Sequence, residues 1–221
     1  MRVPLLFRAM PFWRTRYDRS TALATAEKAR ARGSVRKAVK WYRKVLTETP
    51  GDAQTRAKIA PLLARLGRQE ESRAAFDMAA DGFLAQGFAP KAVAVWTLAA
   101  QTFPEHTAYW LRIANHQVMC GRKPDAVRTL LDGRHLLRKR KQRLLAVTLL
   151  RRALELEPGR VEVTLDLADL LRRTGVKDET KQLLQSALLR VGRGKMRRQV
   201  RLAQFRIEPS LRGALDWALA R

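Results

Sequence analysis

The sequence has a single cysteine, Cys120, in 221 residues. It cannot build an internal disulfide framework, and the expected compartment is a reducing one, the cytoplasm. Acidic residues are scarce beside basic ones: 20 Asp and Glu stand against 45 Lys and Arg, a net charge of +25. Such a surplus points to an anionic partner: an acidic protein, nucleic acid or an anionic membrane. Long apolar runs are missing. Ala92 to Ala100 is typical, about half of what a membrane span needs. The first apolar run is cut by Arg8 and no small-residue cleavage site follows, so no signal peptide is expected. There is no Gly-rich phosphate loop, paired-carboxylate motif or nucleophile elbow. No catalytic residue, cofactor or small-molecule substrate is therefore expected, and the chain reads as non-enzymatic.

What is present is repetition. Glycines and prolines stand singly, as helix punctuation. The stretch from Gly87 to Pro104 places Ala92, Trp96 and Ala99 on one helical stripe. The same frame recurs at Gly33, Ala38, Tyr42, Val45, Pro50, and at Lys141, Ala146, Leu150, Ala153, Pro158. The turn residues Gly67, Gly121 and Gly175 fall 54 residues apart. The expected fold is all-α, an α-solenoid of antiparallel helix pairs with about twelve helices and a 54-residue, three-helix period.

The spacing predicts helices over 20–32, 35–48, 53–66, 69–86, 89–103, 107–120, 123–139, 142–156, 161–174, 177–191, 196–206 and 209–220. Pro61 should kink the third or delay its start. Residues 1–18, with Phe7, Phe12, Trp13 and Tyr17 among arginines, read as a basic aromatic cap or an interfacial segment. Residues 19–191 form the repeat array, and 192–221 are basic capping helices, the last with Leu211, Leu215 and Leu219 as one apolar stripe.

The second-helix pattern Ala-x3-aromatic-x2-Ala-x4-Pro is met by Ala92, Trp96, Ala99 and Pro104. The first-helix pattern of large residues followed by a small one is met by Trp110, Ile113 and Ala114, and more weakly by Thr164, Leu167, Ala168 and Arg56, Ile59, Ala60. On these residues the chain resembles the tetratricopeptide repeat (TPR) family, over about residues 19–191. The three-helix rhythm departs from the family's 34-residue turn spacing and is similar to that of myxobacterial TPR proteins.

The resemblance implies a protein-interaction scaffold whose first helices line a partner groove. Carried over, the groove residues are Leu23, Glu27 and Arg30, then Leu111, Asn115 and Val118, then Leu165, Asp169 and Arg172. Glu27, Pro61 and Asp169 stand where a carboxylate clamp would need Asn or a cation, so capture of chaperone tails is not implied.

The charge itself sits in blocks: +11 over residues 1–47, +8 over 134–152 and +7 over 190–221, with nearly neutral repeats between. Arg134, Arg138, Lys139, Arg140, Lys141 and Arg143 form one candidate patch. Arg193, Lys195, Arg197, Arg198 and Arg201 form a second, with Lys195 one period after Lys141. Together they predict a basic edge able to hold phosphates by charge. This is the alternative to the protein scaffold: an adaptor for nucleic acid or anionic membrane. Aromatics are absent from 134–143, so base stacking is not expected there. His116 and Cys120 lie four apart on one helix face and read as a surface histidine beside a buried thiol, with no metal site expected. Asp166 and Asp169 read as the wet face of their helix.

Overall fold

The computed structural model describes residues 18–192 and 194–219. The segment expected to cap the array at its start lies outside them except for Asp18, and so does Arg193. Twelve α-helices follow one another among the described residues, without a strand.

Two helices, α1 (Arg19–Ala31) and α2 (Val35–Glu48), precede three triplets. The first triplet is α3 (Ala53–Arg65), α4 (Gln69–Ala85) and α5 (Ala89–Thr102). The second is α6 (Thr107–Met119), α7 (Lys123–Leu136) and α8 (Arg143–Leu156). The third is α9 (Val161–Thr174), α10 (Lys177–Arg190) and α11 (Lys195–Ile207), followed by α12 (Leu211–Ala218). Each helix packs on the next. Within every triplet the first also touches the third: α3 with α5, α6 with α8, α9 with α11. The triplets begin 54 residues apart, as the glycine spacing requires.

Two kinds of punctuation set this rhythm. Helices α1, α3, α4, α6 and α9 end on glycines with φ between 72° and 86°, Gly33, Gly67, Gly87, Gly121 and Gly175. After each glycine the next amide closes back on the carbonyl five residues earlier, as Phe88 N does on Phe83 O at 2.8 Å. Only a residue without Cβ takes that left-handed position cheaply. Helices α2, α5, α8 and α11 end instead at Thr49, Phe103, Glu157 and Glu208, whose φ lies between −127° and −132°. Each of these precedes a proline, whose ring pushes the preceding residue out of the helical region.

Helix α7 has neither signal, and here the expected boundary changes. Lys141 replaces the turn glycine, so the left-handed terminator is not available. The helix stops at Leu136, short of the expected 139, and Leu137 turns into the core at 2% exposure. The chain crosses to α8 through a single 3₁₀ turn at Arg140–Gln142. Pro61 does not delay α3, which runs unbroken from Ala53 through Pro61 to Arg65.

Small residues recur where helix backbones approach. Ala60, Ala114 and Ala168 occupy one repeat position, and Ala38, Ala92, Ala146 and Val200 another, all essentially fully buried. Trp96, Phe76, Leu130 and Leu150 fill the space beside them in one continuous core. The third triplet is looser: Ala168, Leu184, Ala187 and Val200 form a separate small core with Leu165, Ala203 and Ile207 packed around it. The last helix also differs from expectation. Leu215 and Leu219 are exposed, so the leucine stripe is not its packing face. Arg198 stacks over the Trp217 ring at 4.9 Å and Arg201 reaches Asp216 at 3.5 Å, and these contacts set the orientation of the short helix.

Candidate functional site

Equivalent residues of the three triplets tie the array together by charge. Lys58 of α3 meets Glu27 of α1 at 2.7 Å, and Arg112 of α6 meets Asp77 of α4 at 2.6 Å. Asp166 of α9 takes the same repeat position with inverted sign and receives Arg134 of α7. That pair is bidentate, with Nε to Oδ2 at 2.9 Å and Nη2 to Oδ1 at 2.7 Å. Arg134 is therefore not part of an exposed patch: its side chain is 18% exposed and spent on Asp166. Asp166 is likewise an inter-helix contact rather than a wetted face.

The groove residues on α1 are engaged in the same way. Glu27 also receives Arg30 at 2.9 Å, and Leu23 packs half-buried on the core. The Lys58 hydrogen bond, chiefly, holds the Glu27 carboxyl down at about 2 from its ordinary 4.5. Burial, chiefly, together with the neighbouring Glu27 carboxylate, pushes the Tyr42 hydroxyl up to about 12. The lowered Glu27 value stabilises the fold above pH 4.5, and that contribution is lost as pH falls from 4.5 towards 2. Tyr42 acts at the other end, stabilising below pH 10 and losing its contribution between 10 and 12. Urea titrations of Glu27→Gln against the native chain should converge only as pH falls to about 2, with the native chain more stable above pH 5. The expected gap is on the order of 1–2 kcal/mol after allowing for solvent screening. A pH-independent gap would remove the carboxylate from this role.

The α6 trio is engaged by the array itself, although Asn115 stays exposed. Leu111 and Val118 pack half-buried on the core, and Asn115 Oδ1 accepts from Arg152 of α8 at 2.9 Å. The α9 trio is open. Leu165, Asp169 and Arg172 line a cavity of about 380 Å³ between α9 and α11. Leu184 forms its floor from α10, and Gln199, Leu202, Ala203, Arg206 and Ile207 supply the α11 wall. Glu162 stands at the other end of α9 from Arg172. Asp169 is neutralised within its own helix by Arg172 at 2.9 Å and Arg173 at 2.7 Å, which together hold its carboxyl below the ordinary range against the opposing effect of burial.

The basic residues divide by role. Lys139, Arg140, Lys141 and Arg143 surround an open depression of about 780 Å³ with Leu144, Arg173 and Thr174, and no carboxylate lines it. The turn that presents them is pinned from below by Gln142. This buried side chain accepts from Lys139 N at 2.8 Å and donates to Glu105 Oε1 at 2.7 Å. Arg138 donates to His135 O at 3.0 Å. Among the described residues of the second block Lys195 is exposed, while Arg197, Arg198 and Arg201 have structural duties. Arg197 donates to the carbonyls of Leu188 and Val191 at the end of α10, and Arg198 and Arg201 hold α12. The two blocks thus do not make one uniform edge.

A basic face on α2, with Arg36, Lys40 and Arg43 beside Arg68, was not singled out from sequence, although the charge of residues 1–47 pointed there. Arg206 and Ala203 were also missed. Aligning α11 with α8 through the 54-residue period would have found them. Cys120 lies exposed at the end of α6, not buried, with its Sγ 3.6 Å from His116 Nδ1. No helix among the described residues is long and apolar enough to cross a membrane.

No protein-family model and no curated protein matches the sequence. Solved structures do match. A putative kinesin light chain from Podosopora anserina with nearly identical TPR-like repeats is 15% identical, covering 86% of this chain and 97% of its own, with a TM-score of 0.43. The MamA protein is 13% identical over 78% of this chain and 91% of its own, TM-score 0.34. YrrB, a TPR protein with an unusual peptide-binding site, is 11% identical over 90% of each chain, TM-score 0.33. The chain's own helix order, turn glycines and buried small residues give the fold. It is a TPR-like α-solenoid. In this TPR-like array the family's two-helix step is replaced by a triplet whose middle helix, α4, α7 or α10, packs against both neighbours.

Proposed function

We propose that the array is a non-enzymatic scaffold that holds a protein partner through its repeat surface, with α9 and α11 as the docking face. The observation that carries this reading is the cavity lined by Leu165, Asp169 and Arg172, three residues that the TPR resemblance assigns to the groove side. A TPR-like fold gives the reading its frame, and the lone cysteine fits a reducing compartment such as the cytoplasm. Residues 192–221 act as the end cap of the array on this reading, and the net charge of +25 makes an acidic partner the natural one.

One observation favours a second reading. The depression formed by Lys139, Arg140, Lys141, Arg143 and Arg173 gathers cations without a lining carboxylate, as a phosphate-bearing polymer or membrane would need. Capture from native lysate with and without nuclease, repeated at rising salt, separates the two. The scaffold reading expects specific proteins retained after nuclease and in 0.3 M salt, about twice physiological strength. Proteins lost on nuclease treatment, with duplex DNA, RNA or anionic vesicles bound directly at low salt, would replace it with the second.

A further inference from the structure

The cavity between α9 and α11 lies where the third triplet departs from the second at several wall positions. In the second triplet Trp110 and Leu149 close together over Gly133, and both are buried. One period later these positions hold Thr164 and Ala203, and the small Gly133 is answered only by Ala187. Of these three only Ala203 lines the cavity, in place of the large Leu149; Thr164 and Ala187 are buried and do not line it. Gln199 likewise stands where half-buried Leu145 packs in the second triplet. The walls that remain are apolar: Leu165, Ala168, Leu184, Leu202 and Ile207.

The same comparison isolates one charge. Arg152 of the second triplet is held by Asn115 at 2.9 Å and by Glu155 at 2.8 Å. Its counterpart Arg206 has Asp169 in place of Asn115, but Asp169 is already paired with Arg172 and Arg173. In place of Glu155 it has Pro209. Arg206 is exposed, lines the cavity, and has no ion-pair or hydrogen-bond partner among the described residues. Glu162 lines the opposite end, seven residues before Asp169 on α9, about 10 Å along the helix. The slot is therefore apolar in the middle and polarised along its length.

We infer that this slot takes a peptide segment of a partner that presents a leucine-like side chain next to a carboxylate. The aliphatic group occupies the volume that Leu149 fills in the second triplet. The carboxylate pairs with Arg206 and points away from Glu162. This inference rests on the scaffold reading and names the chemistry of its docking site. The strongly positive charge of the whole chain favours an acidic segment over a neutral one at the encounter stage.

The test is fluorescence anisotropy of the full chain with a fluorescein-labelled nonapeptide in which leucine pairs alternate with glutamates. Replacing Leu by Ser or Glu by Gln in the peptide should each weaken binding about tenfold. In the protein, Ala203→Leu restores the residue of the second triplet. It should keep or raise the thermal midpoint while weakening the peptide at least about tenfold. Arg206→Gln leaves the apolar walls in place and should weaken it about fivefold and reduce the salt dependence; it decides the matter should Ala203→Leu fail to fold. No binding to the native chain, or equal binding by native and both variants, overturns the assignment. Neither outcome touches the nuclease-resistant capture of protein partners, whose failure would sink the scaffold reading instead.

Discussion

Ala92→Arg is expected to destabilise the array by at least about 3 kcal/mol, the largest single effect in the central repeats. Ala92 is fully buried on α5, and its counterparts Ala38, Ala146 and Val200 are equally enclosed. An arginine there must both force the helices apart and place a charge in an apolar setting without a partner. In a chain of this length the thermal midpoint should fall by about 6–12 °C. Ala92→Val is the control, because Val200 shows that two extra carbons can be housed at this repeat position; it should cost much less. A thermal transition of Ala92→Arg that matches the native one would mean that α5 does not pack as the repeat alignment requires.

The second large effect is expected at Gly133. Glycine in mid-helix gives up about 1 kcal/mol against alanine, yet Gly133→Ala should destabilise by about 1–3 kcal/mol. A Cβ at that point would lie 2.7 Å from Trp110 Cδ2 and 3.0 Å from Leu149 Cδ1. The third triplet has already made the compensating exchange, with Ala187 opposite Thr164. Trp110→Thr alone should be costly, since it empties a packed site and removes the indole bond to Pro104 O at 3.3 Å. The double variant should be more stable than the sum of the two by at least about 1 kcal/mol. Denaturant unfolding of the four proteins measures this directly. Additive costs would mean that Gly133 and Trp110 do not share the space.

These two sites also mark what the sequence could and could not disclose. Helix order, period and core were legible because each is written in local chemistry. A glycine ends one class of helix through φ, a proline ends the other through its effect on the preceding residue, and small residues at fixed spacing mark the close approaches. The end of α7 was not legible in the same way. Its boundary depends on the lack of a glycine at Lys141 and on Leu137 being drawn into the core.

The functional surface was legible only in part. The groove residues came from the TPR resemblance, which implies a face but not the contacts across it. Glu27, Asn115 and Arg134 each look free in one dimension, and each has its partner 31 to 37 residues away on another helix. The slot at α9 and α11 follows from differences between triplets, such as Leu149 against Ala203 and Glu155 against Pro209. Those differences are visible in the sequence, but their meaning depends on knowing that α11 packs on α9.

The most direct measurement is a ¹H–¹⁵N chemical-shift titration of the full chain with the leucine–glutamate nonapeptide at physiological salt. The account predicts that the amides of Leu165, Ala168, Ala203 and Arg206 move together and saturate, while those of Lys139 to Arg143 stay in place. Saturable movement confined to the Lys139–Arg143 turn would contradict it and would place the binding surface on the basic depression.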